Sequence, residues 1–489
     1  MPIIMLLVCM LLPLCIPSMS HANARRHTPT LSLHDAILLA IRENPNIQQA
    51  QLNEVMQRFA REVQQWQFHP HYSLQASYGY TDTTIAGSTL SGTVRNIEPT
   101  ISLLTPVGTR LSVGANNPMA GNYNPGVSLQ ILQPLMRGFG RPIVEMALYN
   151  AIDSETISKL NIENALRTTV TGVINAYLDV ILEENKLLID KQALERADIS
   201  IKQTKLFIKS GRRAKVELVT VEADRASSQM NIENDKNSLL QARYALFTAI
   251  GINPNSNVQL TAIDVPRLIK KYKVPSLIHA KKMILHNDIQ YQTDQIMLAG
   301  AVKRNVVSAQ DNTRWQLDLA VNKNVGNGSG GGKGAGINSL TNGLYNTTGA
   351  TVNLTIPIDD RAAQQGLVNA KIAQREAEIA LRQEKWDKET NAINGWNSIY
   401  SSERALRFAE NAQKLQNKSY TINFQKYTHG LVDSLSLQTA QQQIISAQQQ
   451  FIFNRVAYLK ALVNLDQLIG TTLDTWNIAV NYANKEEFQ

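Results

Sequence analysis

The sequence has 489 residues and a formal net charge of +8, from 48 lysines and arginines against 40 aspartates and glutamates. The excess is spread along the chain without a basic block, which argues against a nucleic-acid partner, since such binders gather their charge in a patch interleaved with aromatics. Only 6% of the residues are aromatic, whereas Asn, Gln, Ala and Ser abound, a mix that suits long helices with wet faces better than a thick globular core.

Residues 1–24 read as a secretory signal: an apolar run from Ile3 to Ile16, then Ala22-Asn23-Ala24 as a small-residue cleavage site. The run is short for a membrane anchor and is interrupted by Pro13. Cys15 follows Leu12-Pro13-Leu14, a poor lipoprotein site because a bulky Leu stands where a small residue is wanted. Both cysteines, Cys9 and Cys15, lie in this segment, so the mature chain is expected to have no disulfide, thiolate metal site or cysteine nucleophile. No later apolar run reaches the roughly eighteen residues of a spanning helix. Contact with a membrane would have to come from strands.

Leu31-Ser32-Leu33 opens a short amphipathic helix ending near Asn44-Pro45, and a second helix follows to about Gln67. Past His69-Pro70 the period changes to two. Tyr72, Leu74, Ala76, Tyr78 and Tyr80 alternate with Ser73, Gln75, Ser77, Gly79 and Thr81, the mark of a strand with one apolar and one polar face. The pattern returns weakly at Ile101 and Leu103, and more clearly at Leu111, Val113 and Ala115 and at Val127, Leu129 and Ile131, with a tight turn at Pro106-Val107-Gly108. After Gln133-Pro134-Leu135 comes a long helix over 141–209. There Leu166, Val173, Val180, Leu187, Leu194, Ile201 and Ile208 recur at every seventh residue, a repeat that makes a helix seek a partner stripe. At 1.5 Å per residue it is about 100 Å long, several times the diameter of a compact domain. Gly211 stops it, and a further helix over 213–250 ends at Gly251.

The plan then starts again. Pro275-Ser276-Leu277 repeats the opening, Asn287-Asp288-Ile289-Gln290 resembles Pro45-Asn46-Ile47-Gln48, and alternation returns at Trp315–Asn322 and Val352–Ile356. Ile356-Pro357-Ile358 matches Gln133-Pro134-Leu135. A second long helix, 361–428, carries Ile372, Ile379, Trp386, Ile393 and Tyr400 at spacings of seven, and a helix over 431–469 follows. Gly430 and Gly470 mirror Gly211 and Gly251. The chain is therefore one helix–strands–long helix–helix unit written twice, over 25–264 and 265–475, with strands at about 72–132 and 315–356 and a tail at 476–489. In the first unit the helices at about Asn46–Gln67 and Arg213–Ile250 together roughly equal the long one and can pack antiparallel along it.

In an exported protein, strands of this kind suit a lipid-facing barrel wall, apolar side out; alternation alone suits a β-sandwich face equally well. A few strands cannot close a barrel, and open edges cannot stand in lipid, so a membrane reading needs several copies. The doubled unit, the Leu-Ser-Leu opening, the two strand-to-helix prolines and the paired glycine turns together resemble TolC-type outer-membrane efflux proteins, over Leu31 to Gly470. The resemblance implies a mainly α fold with a transmembrane β part: a homotrimer in outer-membrane lipid, each chain giving four strands to a twelve-stranded β-barrel that continues as a long periplasmic α-helical barrel. The four would be Tyr72–Thr81, Gly126–Leu132, Trp315–Asn322 and Thr351–Ile356. Ile85–Tyr123 would then be a long external excursion containing the Pro106 hairpin, and Val325–Gly349 a second external loop. The implied function is an exit duct working with a periplasmic adaptor and an inner-membrane pump of RND or ABC type, with no cofactor and no enzymatic activity. The competing reading is a non-porous exported coiled coil, structural or adhesive; the strands at the joint of each unit argue against it. A periplasmic adaptor would need a lipoyl-like β domain, which is not apparent.

For the entrance, the resemblance marks the hairpin tips, at Gly211, Arg212 and Arg213 and at Gly430, Ser436 and Thr439, as the end that docks an adaptor. Glu217 falls on the family's acidic tip position and Tyr427 on its tyrosine, which implies a Tyr–carboxylate latch between hairpins. Val432 stands where the family's arginine is expected, and Ser436 and Thr439 stand where two aspartates ring the pore, so a strongly acidic constriction is not expected here. Arg212 and Arg213 at the first turn could meet an acidic partner tip or be simply exposed. Elsewhere, Gly326-Asn327-Gly328-Ser329-Gly330-Gly331 fits G-x-G-x-x-G and Gly332-Lys333 a phosphate loop, but Gly334 replaces the Ser/Thr and no helix pattern follows, so a flexible loop is expected. The histidines show no metal-ligand spacing, and His69 and His71 flank Pro70 at a helix–strand junction. Nothing in the sequence supports catalysis.

Overall fold

The computed structural model describes residues 30–85, 88–118, 125–256, 258–262, 265–326, 337–341 and 346–480. Residues 1–29, which include the expected signal segment, residues 481–489 of the tail and nearly all of the glycine-rich run lie outside the described residues. In chain order the elements are β1 (Thr30–Leu31), α1 (Leu33–Glu43), α2 (Pro45–Trp66), β2 (His71–Ile85), β3 (Ser88–Leu104), β4 (Arg110–Pro118), β5 (Gly126–Pro134), α3 (Arg141–Val144), α4 (Met146–Lys209) and α5 (Val216–Ile250). The second half has β6 (Gln259–Leu260), α6 (Val265–Lys271), α7 (Leu277–Asn287), α8 (Ile289–Met297), a π-helical turn (Leu298–Val302), α9 (Lys303–Asn312), β7 (Gln316–Gly326) and α10 (Asn338–Thr341). It ends with β8 (Asn346–Thr355), α11 (Arg361–Thr428), α12 (Ser434–Leu468) and α13 (Thr472–Trp476).

The long helices are α4, 64 residues, and α11, 68 residues. In α4 the seven-residue stripe is the packed face: Leu166, Val173, Val180 and Ile201 are buried and Leu187, Leu194 and Ile208 half-buried. Below the sheet α4 lies against α2, further down against α5, and on its other side against α12; α11 likewise runs past α9, α8 and α7 and then α12. The main core sits at the middle of the rod. There Tyr177 of α4, fully buried, donates its hydroxyl to Leu31 O at 3.1 Å and Thr261 O at 2.6 Å, pinning the small parallel β1–β6 pair. Burial in this apolar core pushes that phenol up to about 12. The duplication reaches single bonds. Ser32 and Ser276 cap α1 and α7, and Asn44 Nδ2 donates to Ala249 O at 2.7 Å as Asn287 Nδ2 does to Ile469 O at 2.9 Å.

At one end of the rod lies an antiparallel sheet of six strands, ordered β2-β3-β4-β5-β7-β8. This corrects the expected four. Within the expected external excursion Ile85–Tyr123, β3 and β4 are paired strands, with Ser73 opposite Thr100, Ile101 opposite Val113 and Val113 opposite Leu129. β3 was hard to read because its apolar alternation covers only Ile97 to Leu103 and includes Pro99. The β3–β4 ladder skips Glu98 and Pro99, where proline has no N–H to give. The register places Tyr72, Leu74, Ile101, Leu103, Leu111, Val113, Leu129, Ile131, Leu319, Val321 and Val352 on one face. Ser73, Gln75, Thr100, Ser102, Ser112, Gln130, Asn322 and Asn353 line the other. No described helix is long and apolar enough to cross a membrane.

Candidate functional site: the paired hairpin tips

At the end opposite the sheet, α4 turns into α5 and α11 into α12 through two turns of the same construction. Gly211 and Gly430 are left-handed, with φ of 69° and 77°. In each turn the residue after the glycine donates back to the last helical turn: Arg212 N to Phe207 O and Leu431 N to Lys426 O, both 2.9 Å. This is the glycine-terminated helix stop, which satisfies carbonyls the helix leaves open. α12 then starts on Asp433, whose Oδ1 accepts from Ser436 N at 2.8 Å; the Ser436 side chain first, and this backbone bond with it, hold the Asp433 carboxyl below its usual range.

Between the two tips lies a small apolar knot of Phe207, Tyr427 and Leu437, with Tyr420, Phe424 and Val432 packed around it. Phe207 meets the Tyr427 ring edge-on, centroids 5.8 Å apart. The Tyr427 hydroxyl lies 2.6 Å from Thr204 Oγ1. Thr204 already donates its single proton to Ser200 O at 2.7 Å, so Tyr427 is the donor. Burial raises the Tyr427 phenol, with the Thr204 bond and the Arg213 charge pulling the other way.

The structure does not join Tyr427 to Glu217 directly; Arg213 stands between them. Its Nη1 donates to both Glu217 oxygens at 3.3 Å, its Nη2 donates to Val432 O on the other tip, and its guanidinium lies 5.7 Å from the Tyr427 ring centroid. Within one chain a guanidinium spans the hairpins, with the Glu217 carboxylate behind it and the Tyr427 face beneath it. Arg213 thus joins an acidic side chain of its own tip to a backbone carbonyl of the other. Arg212 is exposed, as are Ser436 and Thr439; Ser436 takes part in the α12 cap, and Thr439 Oγ1 donates to Leu435 O at 3.0 Å. Thr439 also lines a shallow groove between α11 and α12 with Gln416, Gln438 and Gln442.

Thr204 and the bridging geometry of Arg213 were not legible in the sequence. Nor was a ladder of side-chain bonds holding the two repeats together above the tips. Gln442 Nε2 donates to Asp224 at 3.0 Å, Gln449 Nε2 to Asp190 at 3.2 Å and Lys460 Nζ to Asp179 at 2.6 Å. Asp235 of α5 lies close to Asp190. Burial, with Asp190 and Glu183 nearby, pushes the Asp235 carboxyl up to about 6. The glutamines on the second face of α12 were the only signal of this ladder.

The comparisons with known proteins meet this geometry. The profile of the family described as "Outer membrane efflux protein" matches residues 36–252 and 289–471, one stretch in each repeat. The chain belongs to the outer membrane efflux protein family. Its members are channels, not enzymes. No curated protein matches the chain in sequence. Among solved structures, the channel-forming protein CusC is similar with a TM-score of 0.70 at 15% identity, over 93% of this chain and 96% of that one. The Campylobacter jejuni CmeC outer membrane channel gives 0.67 at 14%, over 90% and 86%. The Neisseria gonorrhoeae MtrE outer membrane channel, in its open state, gives 0.65 at 16%, over 90% and 89%. At these identities the likeness is one of fold.

Proposed function

We propose that three copies of the chain close into a duct, a β-barrel in the outer membrane continued by a helical tube in the periplasm. The duct receives cargo from an inner-membrane pump of RND or ABC type through an adaptor, as the exit of a tripartite efflux pump or a type I secretion system. Energy comes from the pump. The hairpin tips are the entrance and the adaptor's docking end, and the Arg213 bridge, with Glu217 and Tyr427, holds the two hairpins of one chain together in the closed state.

The observation that carries this reading is where the single chain is left unfinished. Next to the sheet the helices run in the order α2, α4, α8–α9, α11, and the sheet runs from β2 to β8. The outer helices bear the apolar stripes that the chain itself does not cover. On α2 they are Leu52, Met56, Phe59, Val63 and Trp66; on α11 they are Ile372, Ile379 and Trp386, then Phe408, Leu415 and Ile422 toward the tip. Spacings of three, four and seven are those of a helix seam awaiting a partner. α2 leads into β2 and α11 follows β8, so the open strand edges and the open helix seams lie on the same two flanks. A ring of copies covers all four at once, as lipid demands of strand edges.

Fractionation of cells making the full chain tests this. A heat-modifiable trimer in the outer-membrane fraction is the expected result; a soluble monomeric rod in the periplasm or medium overturns it.

A further inference from the structure

We infer that all six strands of the sheet are staves of the membrane barrel, so that a three-copy duct closes through eighteen strands, β8 of each copy pairing with β2 of the next. This rests on the outer-membrane duct proposed above and concerns its width.

The alternatives for the additional β3–β4 hairpin are a loop outside the membrane or a plug folded into the lumen, and its position disfavours both. Its turn, Thr105–Thr109, lies at the helix end of the sheet, not at the free end where a surface loop would project. There it is docked on the strand-to-helix junction. Gly140 N donates to Val107 O at 3.1 Å, and a Cβ on Gly108 would come within 2.9 Å of Gly138 O and 3.2 Å of Pro134 Cγ. Both strands are paired on both sides, β3 with β2 and β4 with β5, so neither is free to fold inward. Their apolar residues, Ile101, Leu103, Leu111 and Val113, continue the face formed by Tyr72 and Leu74 on one side and Leu129 and Ile131 on the other. A hairpin in the lumen would have to present that face to water.

Closure is consistent in sense. β2 runs away from the helices and β8 returns toward them, so neighbouring copies meet antiparallel like every other pair in the sheet. The exposed edge residues agree in face: Tyr72 and Leu74 on β2 match Val352 and Leu354 on β8. With strands about 4.8 Å apart and tilted about 40°, eighteen give a barrel about 36 Å across through the backbone, against about 24 Å for twelve. Only β2, β5, β7 and β8 join helices; the β3–β4 turn fills the rim between those junctions. The membrane section is therefore half as wide again as a four-strand chain would make it, and the helical tip rather than the barrel sets the size limit on cargo.

The mature chain's lack of cysteine makes the test clean. Single variants Val113→Cys and Ser112→Cys on β4, with Leu129→Cys and Gln130→Cys on β5 as internal references, are labelled with bimane in the full-length protein. They are reconstituted into phosphatidylcholine vesicles with or without doxyl-labelled acyl chains. The expected result is several-fold stronger quenching at Val113 than at Ser112, the same contrast as between Leu129 and Gln130. Contrast at β5 but none at β4 overturns the six-stave wall and leaves the duct standing. Absence of contrast at both overturns the duct as well. Should a β4 variant fail to insert, the strand count of the unmodified trimer by electron cryo-microscopy decides: eighteen supports the inference and twelve overturns it.

Discussion

Arg213 ties one hairpin tip to the other. It crosses 219 positions of sequence to reach Val432 O, and its side chain is only 12% exposed. A charged hydrogen bond of this kind contributes about 1.5–3 kcal/mol, and losing the Tyr427 hydroxyl bond costs about 1 kcal/mol. Single-channel conductance in planar bilayers should therefore rise most for Arg213→Ala and less for Glu217→Ala and Tyr427→Phe. Glu217→Ala still leaves the Arg213–Val432 bond in place. Unchanged conductance in all three variants would remove the bridge from the closing mechanism. Asp235 carries a second prediction. The folded chain holds its proton up to about pH 6, above the ordinary carboxylate range. Its favourable contribution is thus complete at the acid end and lost as pH rises through about 6. Tm should fall across that window, and Asp235→Asn should flatten the fall; a variant with the wild-type pH profile would contradict the assignment.

The elements divide sharply in how far sequence alone disclosed them. α11 occupies 361–428 as the uninterrupted apolar period and the flanking proline and glycine dictated, whereas the run read as one helix from 141 is broken at Glu145 into α3 and α4. β3 is legible only at its end, Ile101 and Leu103, because a strand paired on both sides takes its register from its neighbours and can tolerate Ser, Thr and Gly where a lone strand would need alternation. The glycine turns were legible from spacing, but not their different duties. Gly211 and Gly251 are both left-handed, yet a Cβ on Gly211 meets nothing within 4 Å, while on Gly251 it comes within 2.7 Å of Glu43 O and 2.9 Å of Asn44 Cα. Gly211→Ala should cost only the backbone strain, about 1 kcal/mol. Gly251→Ala should lower Tm considerably more, because the backbone of the α1–α2 junction must move. Equal losses in the two variants would contradict the packing described here.

For the whole molecule, the informative feature is what the chain leaves uncovered. α4, at the centre, buries its seven-residue stripe within the chain; α11, at the flank, keeps Ile372, Ile379 and Trp386 exposed. The same sequence signal thus has two outcomes, a seam closed within the chain and an exposed stripe that the proposed ring of copies would cover. Sequence could not separate them, because the period says only that a helix needs a partner, not which chain supplies it. The tip contacts were illegible for a related reason: Thr204 meets Tyr427, and Arg213 meets Val432, only after both long helices have folded alongside one another.

Cross-linking between the flanks tests the closed ring most directly. Cysteines at Phe59 of α2 and Ile372 of α11, made in one chain that has no other cysteine after its first 24 residues, should join neighbouring copies on mild oxidation of outer membranes. Because every copy carries both flanks, the limiting product should be a covalent species of three chains, three times the mass of one, and neither cysteine alone should give it. A protein that stays at the mass of one chain with this pair and with its neighbours, Val63 with Val368 and Leu52 with Ile379, would contradict the duct.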